Sequence, residues 1–387
     1  MTARVALAGL GFVIGAAVLW PPAAGAIDQA RGTVPATPAT PSTPPVATPA
    51  PWPSAAELGD RRREAERRRL FRDDEPQTIR LIANFKVVNH DRDPLSTRMY
   101  PATIEFAEAD GTARSMPLQI RTRGHSRRKP TVCDFAPLRL EFQKELTKGT
   151  LFDGRGALKL GTHCRNNGTF EQYVLREYAV YRLFNLLTPR SFRARLARAT
   201  YVDAASKRTV ATRYALFIED DDDVARRLEG RITDVKSMLF YRLHGETLTL
   251  MTLFEYMIGN TDMSILNQHN VRLVETPGKE LYPVPYDFDF SGLVNTTYAG
   301  ADKRLGITSV RERLYRGPCR TPQEFETVFV KMRALKGDLL AVYDGIPDMS
   351  GTDRREARTY LEEFFRLIDR PRDVKTALID PCLPAGM

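Results

Sequence analysis

Along the first half of the chain, apolar and polar positions alternate with a period of two over 79–88, 102–108, 114–121, 137–142 and 157–160. That pattern predicts five strands. Ala109-Asp110-Gly111 between the second and third supplies a hairpin turn. The period then changes. Tyr173, Val174, Tyr178, Tyr181, Phe184 and Leu187 recur at helical spacing and predict a helix over 170–187. Two further strands, 196–202 and 212–218, precede a mostly helical remainder with helices over 248–257, 322–335 and 353–367. Strands first and helices later predict an α+β protein with a sheet-rich and a helix-rich lobe.

The extreme N-terminus breaks both periods. Arg4, an apolar run of residues 5–20, Pro21-Pro22 and the small-x-small site Ala24-Gly25-Ala26 have the three-part layout of a secretory signal, with cleavage expected after Ala26. The run is shorter than the roughly 20 residues that span a bilayer. Within a linker at 27–57, residues 33–53 alternate Pro, Ala and Thr, a composition that extends as a polyproline-like spacer and cannot bury a core. A basic helical segment follows over 58–75, and the folded domain is expected over 76–383.

Charge and cysteines sharpen the address. The net charge of +9 is concentrated in part at 60–72, where seven arginines stand against three acids, an expected contact for an anionic surface or a solvated face. Basic and aromatic residues are not interleaved, so nucleic acid is not inferred. Cys133, Cys164, Cys319 and Cys382 allow three pairings, of which the local one, Cys133–Cys164 with Cys319–Cys382, is preferred. An even cysteine count fits an oxidising compartment, so the chain is expected to be periplasmic or extracellular.

Candidate chemistry lies in 259–290. Asp262 follows Gly259-Asn260, Asn267 stands five positions on, and after a short strand at 271–274 comes Tyr286-Asp287-Phe288-Asp289. Phosphoryl transfer needs a carboxylate to orient and deprotonate the acceptor, and oxygen ligands to hold Mg²⁺ against the phosphates. On these residues the segment resembles the catalytic region of the CotH kinase-like family and, more distantly, HipA-type kinases. The resemblance implies a two-lobed, atypical protein-kinase-like fold. It also implies Asp262 as catalytic base and Asn267, Asp287 and Asp289 as ligands of Mg or Mn. A structural Ca²⁺ at the two aspartates is the alternative use of the same pair.

Upstream, Arg123-Gly124-His125-Ser126 resembles the CotH loop that covers the nucleotide, which places Arg123, Gly124 and Ser126 over the phosphates of ATP. Either Lys159, with Glu171 or Glu177 of the following helix available as partner, or Arg139 on the earlier strand is the phosphate clamp. Glu219, at the end of the strand 212–218, lies where the resemblance puts the hinge that meets the adenine. The expected activity is ATP-dependent phosphorylation of a hydroxyl on a secreted or cell-envelope protein or glycan. Because free ATP is scarce outside the inner membrane, a non-catalytic surface or adhesion module that keeps the fold is the alternative.

Overall fold

The computed structural model describes residues 50–235, 237–384 and 386. The expected signal at 1–26 and residues 27–49 of the spacer lie outside them. The described chain opens with α1 (Ala55–Glu66), started by a capping box in which Ser54 Oγ accepts the Glu57 N–H and the Glu57 carboxylate accepts the Ser54 N–H. In β1 (Gln77–Ala83) alternate residues are buried. The strand expected to reach 88 ends early because the Asn84 side chain accepts the Val87 N–H and caps a helical turn, α2 (Phe85–Val88).

The predicted hairpin forms between β2 (Tyr100–Ala107) and β3 (Ala113–Thr122), with Gly111 at a φ of 83° in its turn. Next come β4 (Leu138–Phe142), α3 (Lys144–Thr147), β5 (Ala157–Gly161), α4 (Gly168–Leu187), β6 (Ala194–Asp203), β7 (Thr209–Ile218) and α5 (Asp221–Arg227). The remainder holds β8 (Arg231–Thr233), α6 (Gly245–Ile258), β9 (Val271–Glu275), β10 (Leu281–Pro285), α7 (Pro322–Ala334), α8 (Lys336–Ala341), α9 (Gly351–Ile368) and α10 (Pro371–Val374).

Seven strands close into a barrel in the order β1-β2-β3-β4-β5-β7-β6. Every neighbouring pair is antiparallel except β1 with β6, which run parallel with Leu81 opposite Tyr201. This closure overturns the two-lobed, kinase-like arrangement. The sheet has no separate lobe to form, and residues from Trp52 onward make one compact unit. Local alternation identifies each strand but carries no information about which distant strand closes the ring.

Inside the barrel, Ile79, Leu81, Ile104, Leu118, Ile120, Leu140, Leu158 and Phe217 form one core. A second core lies outside it, where Leu196, Leu216 and Ile218 pack with Leu175, Ala179 and Leu183 of α4 and with Phe254 of α6. Each large apolar side chain so buried contributes about 1.5–3 kcal/mol. β8, β9 and β10 form a separate antiparallel sheet.

Cys133 bonds to Cys164 and Cys319 to Cys382, the preferred local pairing, with Cα separations of 4.6 and 4.8 Å. Among the described residues, no helix is long and apolar enough to cross a membrane. The disulfides agree with an exported protein.

Candidate functional site

Three elements converge outside the barrel: α4, the loop leaving β3, and the turn leaving β10. Asn167 caps α4 by accepting the Phe170 N–H, and the helix places Glu177 and Tyr181, four residues apart, on one face. Tyr181 Oη accepts the Asp287 N–H at 3.0 Å. Asp287 has a φ of 65°, so the 286–290 segment is a turn. Asp287 and Asp289 thus follow the strand rather than lie in it, since β10 ends at Pro285.

The turn nevertheless brings both carboxylates to Glu177. Asp289 is buried, receives the Tyr298 hydroxyl at 3.1 Å, and has Arg127 Nη1 3.7 Å away. Burial, and then the charge of Asp287, push Asp289 up to about 7. Burial, followed by the charges of Asp289 and Asp287, raises Glu177 well above the usual carboxylate range. Burial opposes the charge of Arg127, but Tyr298, Asp289, Glu177 and Asp287 outweigh it and raise its pKa.

The β3 loop supplies these cations. Gly124 turns the backbone at a φ of 82°, Arg123 N–H donates to Pro137 O at 2.8 Å, and Ser126 begins a single 3₁₀ turn. Gly124 is exposed, and the Ser126 side chain makes no hydrogen bond among the described residues. Arg123 lowers the proton affinity of Glu177 by its charge and reaches Tyr181 and Lys159 in the same way. Arg127 and Arg128, which sequence reasoning passed over, are the buried members. Arg127 donates to Thr162 O, and Arg128 Nε donates to Thr122 Oγ1 at 3.1 Å.

Asp262 is positioned by a different set. α6 ends at Gly259 with a φ of 66°, and a Cβ there would lie 2.1 Å from Tyr360 Oη, so only glycine fits. Asn260 Oδ1 accepts the Asp262 N–H at 3.0 Å. Arg316 Nη1 donates to Thr261 O and Met263 O at 2.6 and 2.8 Å, on either side of it. Asn270 Nδ2 donates to the Asp262 carbonyl and to Oδ2 at 2.7 and 3.1 Å, while His269 Nε2 lies 3.2 Å from Oδ1. The hydrogen bond that the His269 ring donates to the Asp262 carboxylate raises the His269 pKa. Asp262 keeps 40% of its side-chain exposure, so it meets solvent while its orientation is fixed.

Asn267 does not join it. It lies exposed on the turn before β9, with its N–H on Ser264 Oγ at 3.3 Å. Asn270, not Asn267, is the asparagine whose side chain meets Asp262. It has a φ of 56°, and its carbonyl accepts the Tyr286 N–H at 3.0 Å, which ties the Asp262 loop to the Asp287 turn. The detectable signal was its position directly before a strand, at a spacing of eight from Asp262.

Two clamp candidates are cross-strand neighbours: Arg139 on β4 opposes Lys159 on β5. Lys159 is buried between the rings of Tyr286 and Phe192, 4.6 and 5.0 Å from their centroids, and pairs with Asp221. Burial lowers its pKa, while Asp221 opposes the shift. The expected pairing of Lys159 with a glutamate of α4 is thus corrected. Glu171 is taken by Arg198 and by the Tyr214 N–H. Arg139 pairs with Glu141 and lies 3.9 Å from Asp220. Glu219 is also reassigned. It is fully buried and accepts two hydrogen bonds from Arg227, each 2.8 Å, plus the Arg193 N–H at 2.9 Å, so its carboxylate braces the β7–α5 corner.

Among the described residues, no group of three or more His, Cys, Asp and Glu is arranged to hold a metal ion alone. Asp287 and Asp289 offer the hard oxygens that suit Mg²⁺, which is commonly held by one or two carboxylates together with substrate phosphates. Burial first and the neighbouring negative charges second raise Asp289 and Glu177, and a cation there would relieve the repulsion. In comparisons with known proteins, the chain matches no family model and no curated protein.

Proposed function

We propose that this chain is an exported phosphotransferase that uses ATP with Mg²⁺ or Mn²⁺ to phosphorylate a hydroxyl of a secreted or cell-envelope protein or glycan. One observation carries the reading: the oriented, solvent-facing Asp262 is tied through Asn270 to the turn that brings Asp287 and Asp289 against Glu177, Arg123 and Arg127. In this reading the acceptor oxygen bonds to the γ-phosphorus and the β–γ bridging P–O bond breaks. ADP leaves, and the acceptor proton passes to Asp262. The divalent ion would be held by Asp287 and Asp289 and would neutralise phosphate charge. Arg123 and Arg127 supply fixed positive charge beside that position. The similarity of 259–290 to the CotH catalytic segment supports the same assignment.

A second reading, a non-catalytic surface module, draws support from Lys159 being tied to Asp221 and Asn267 facing away. Titration of the purified chain with ATP and Mg²⁺ or Mn²⁺, followed by autophosphorylation and mass spectrometry, separates the two. The enzyme reading expects nucleotide binding that Asp287→Ala abolishes and phosphate incorporation that Asp262→Asn abolishes. Binding of no nucleotide with either metal would sink it and leave the module.

A further inference from the structure

A concave groove of about 800 Å³ lies away from the acid pocket, between α1, the α3 turn and the end of α5. Its wall is cationic. Arg61, Arg67, Arg68, Lys144, Lys148 and Arg226 line it with Arg63, against three acids, Asp60, Glu64 and Asp153, and no apolar side chain contributes. Only the arginines of α1 were visible as a basic run; the lysines after β4 and the arginine of α5 join them through the fold.

The groove has a built floor. Arg68 is 6% exposed, donates to Asp153 O and Glu64 at 3.0 Å, and has an Nε without a hydrogen-bond partner. Its guanidinium fits there because residue 154 is glycine: a Cβ at Gly154 would fall 1.5 Å from Arg68 Nη1. Arg61, Arg67, Lys144 and Lys148, exposed at the rim, make no ion pair among the described residues. α1 itself is held in place by buried Leu58 and Ala65 and by Arg62 on Glu229 at 3.1 Å. The backbone that carries the α1 arginines is therefore fixed in place.

We infer that this groove binds an extended acidic peptide segment of a partner protein. Charge complementarity sets the sign of the ligand. Concavity and the absence of apolar side chains from the lining favour a chain over a bilayer face, which would be met by a flatter surface with apolar groups to insert. Asp60 is paired with Arg63 and Glu64 with Arg68, which leaves the Asp153 carboxylate for the N–H donors that a peptide brings and a phosphate polymer lacks. A smaller groove of about 260 Å³ shares Lys144, Gly154 and Arg226 and continues to Arg139 and Asp220, at the edge of the candidate site. The inference does not depend on phosphoryl transfer.

Fluorescence anisotropy with a labelled oligoglutamate tests it on the purified chain. Saturable binding is expected, weakened about tenfold or more in R61E/R67E/K148E and also reduced in the single variant R67A. The charge-matched control K303E/K331E/R372E, at exposed positions elsewhere, should keep binding within about twofold, with all circular dichroism spectra unchanged. The inference fails if the wild-type chain does not saturate, or if the control loses binding as fully as the groove variant. It is equally overturned if polyphosphate or anionic vesicles bind through Arg61, Arg67 and Lys148 while oligoglutamate does not.

Discussion

The β7–α5 corner and the acid pocket beside α4 both bury carboxylates, and they treat them in opposite ways. At the corner, Glu219 faces the Arg227 fork and a backbone N–H, and Asp223 faces Arg155 with Arg68 3.6 Å away. Each acid there has a cation in contact. In the pocket, Glu177 has two more acids as neighbours, and Arg127 stands 3.7 Å from Asp289. A matched set holds the chain together. A mismatched set costs stability and is kept where a charged ligand completes it.

The largest effect that tests this contrast is at the corner. Glu219→Ala should cost about 3–5 kcal/mol in denaturant unfolding, because Arg227 is left buried and unpaired; a loss below about 1 kcal/mol would mean that the corner is no brace. Next is Glu255, a buried acid of α6 that lies beside Asn260 and makes no ion pair among the described residues. Burial pushes it up to about 8. Its folded form binds the proton more tightly than the unfolded chain does, so its contribution is complete below the unfolded value and is lost as pH rises toward 8. Glu255→Gln should flatten that decline by on the order of a few kcal/mol, and unchanged pH slopes in wild type and variant would refute it.

Smaller still is the pocket. Glu177→Gln removes one of three crowded acids and should raise stability at pH 8 by about 1 kcal/mol while weakening metal–nucleotide binding. Loss of stability instead would place Glu177 among the braces. Mn²⁺ alone should stabilise the wild-type chain by about 1.4 kcal/mol at ten times its Kd, more at pH 8 than at pH 5. Equal thermal shifts in Asp287→Ala would put the ion elsewhere. Smallest is Arg304→Ala, which removes a fully exposed pair with Asp302 and should leave the unfolding midpoint unchanged within experimental error.

Much of this was legible in the sequence because it is local. Strand alternation, the α4 stripe and the Asp-Gly turn each report on their own few residues, and both disulfides followed the nearest pairing. The misses were set at a distance. Parallel pairing of β1 with β6 has no local signature, so seven strands read correctly still gave the wrong architecture. Asn267 and Asn270 both suit a turn, and the difference lies in backbone handedness at Gln268 and Asn270, each with positive φ. Lys159 was visible as a strand lysine, but its partner Asp221 belongs to a helix start reached through β7. Glu219 was placed correctly at the end of that strand, and the arginine that claims it was not apparent.

The parallel pairing of β1 with β6 also governs the order of assembly. As the chain emerges N-terminus first, β1 has β2 within reach almost at once, yet its other edge stays open until Ala197–Asp203 arrives. The ring is thus a late, non-local event, and such closures are slow because loop entropy is lost before the contact forms. Until then Ile79 and Leu81 sit on an unfinished strand edge, the kind of surface that recruits other chains. Dilution and assistance during synthesis should raise the yield of closed barrel, whereas a chain cut before β6 should aggregate even with all its earlier hairpins formed.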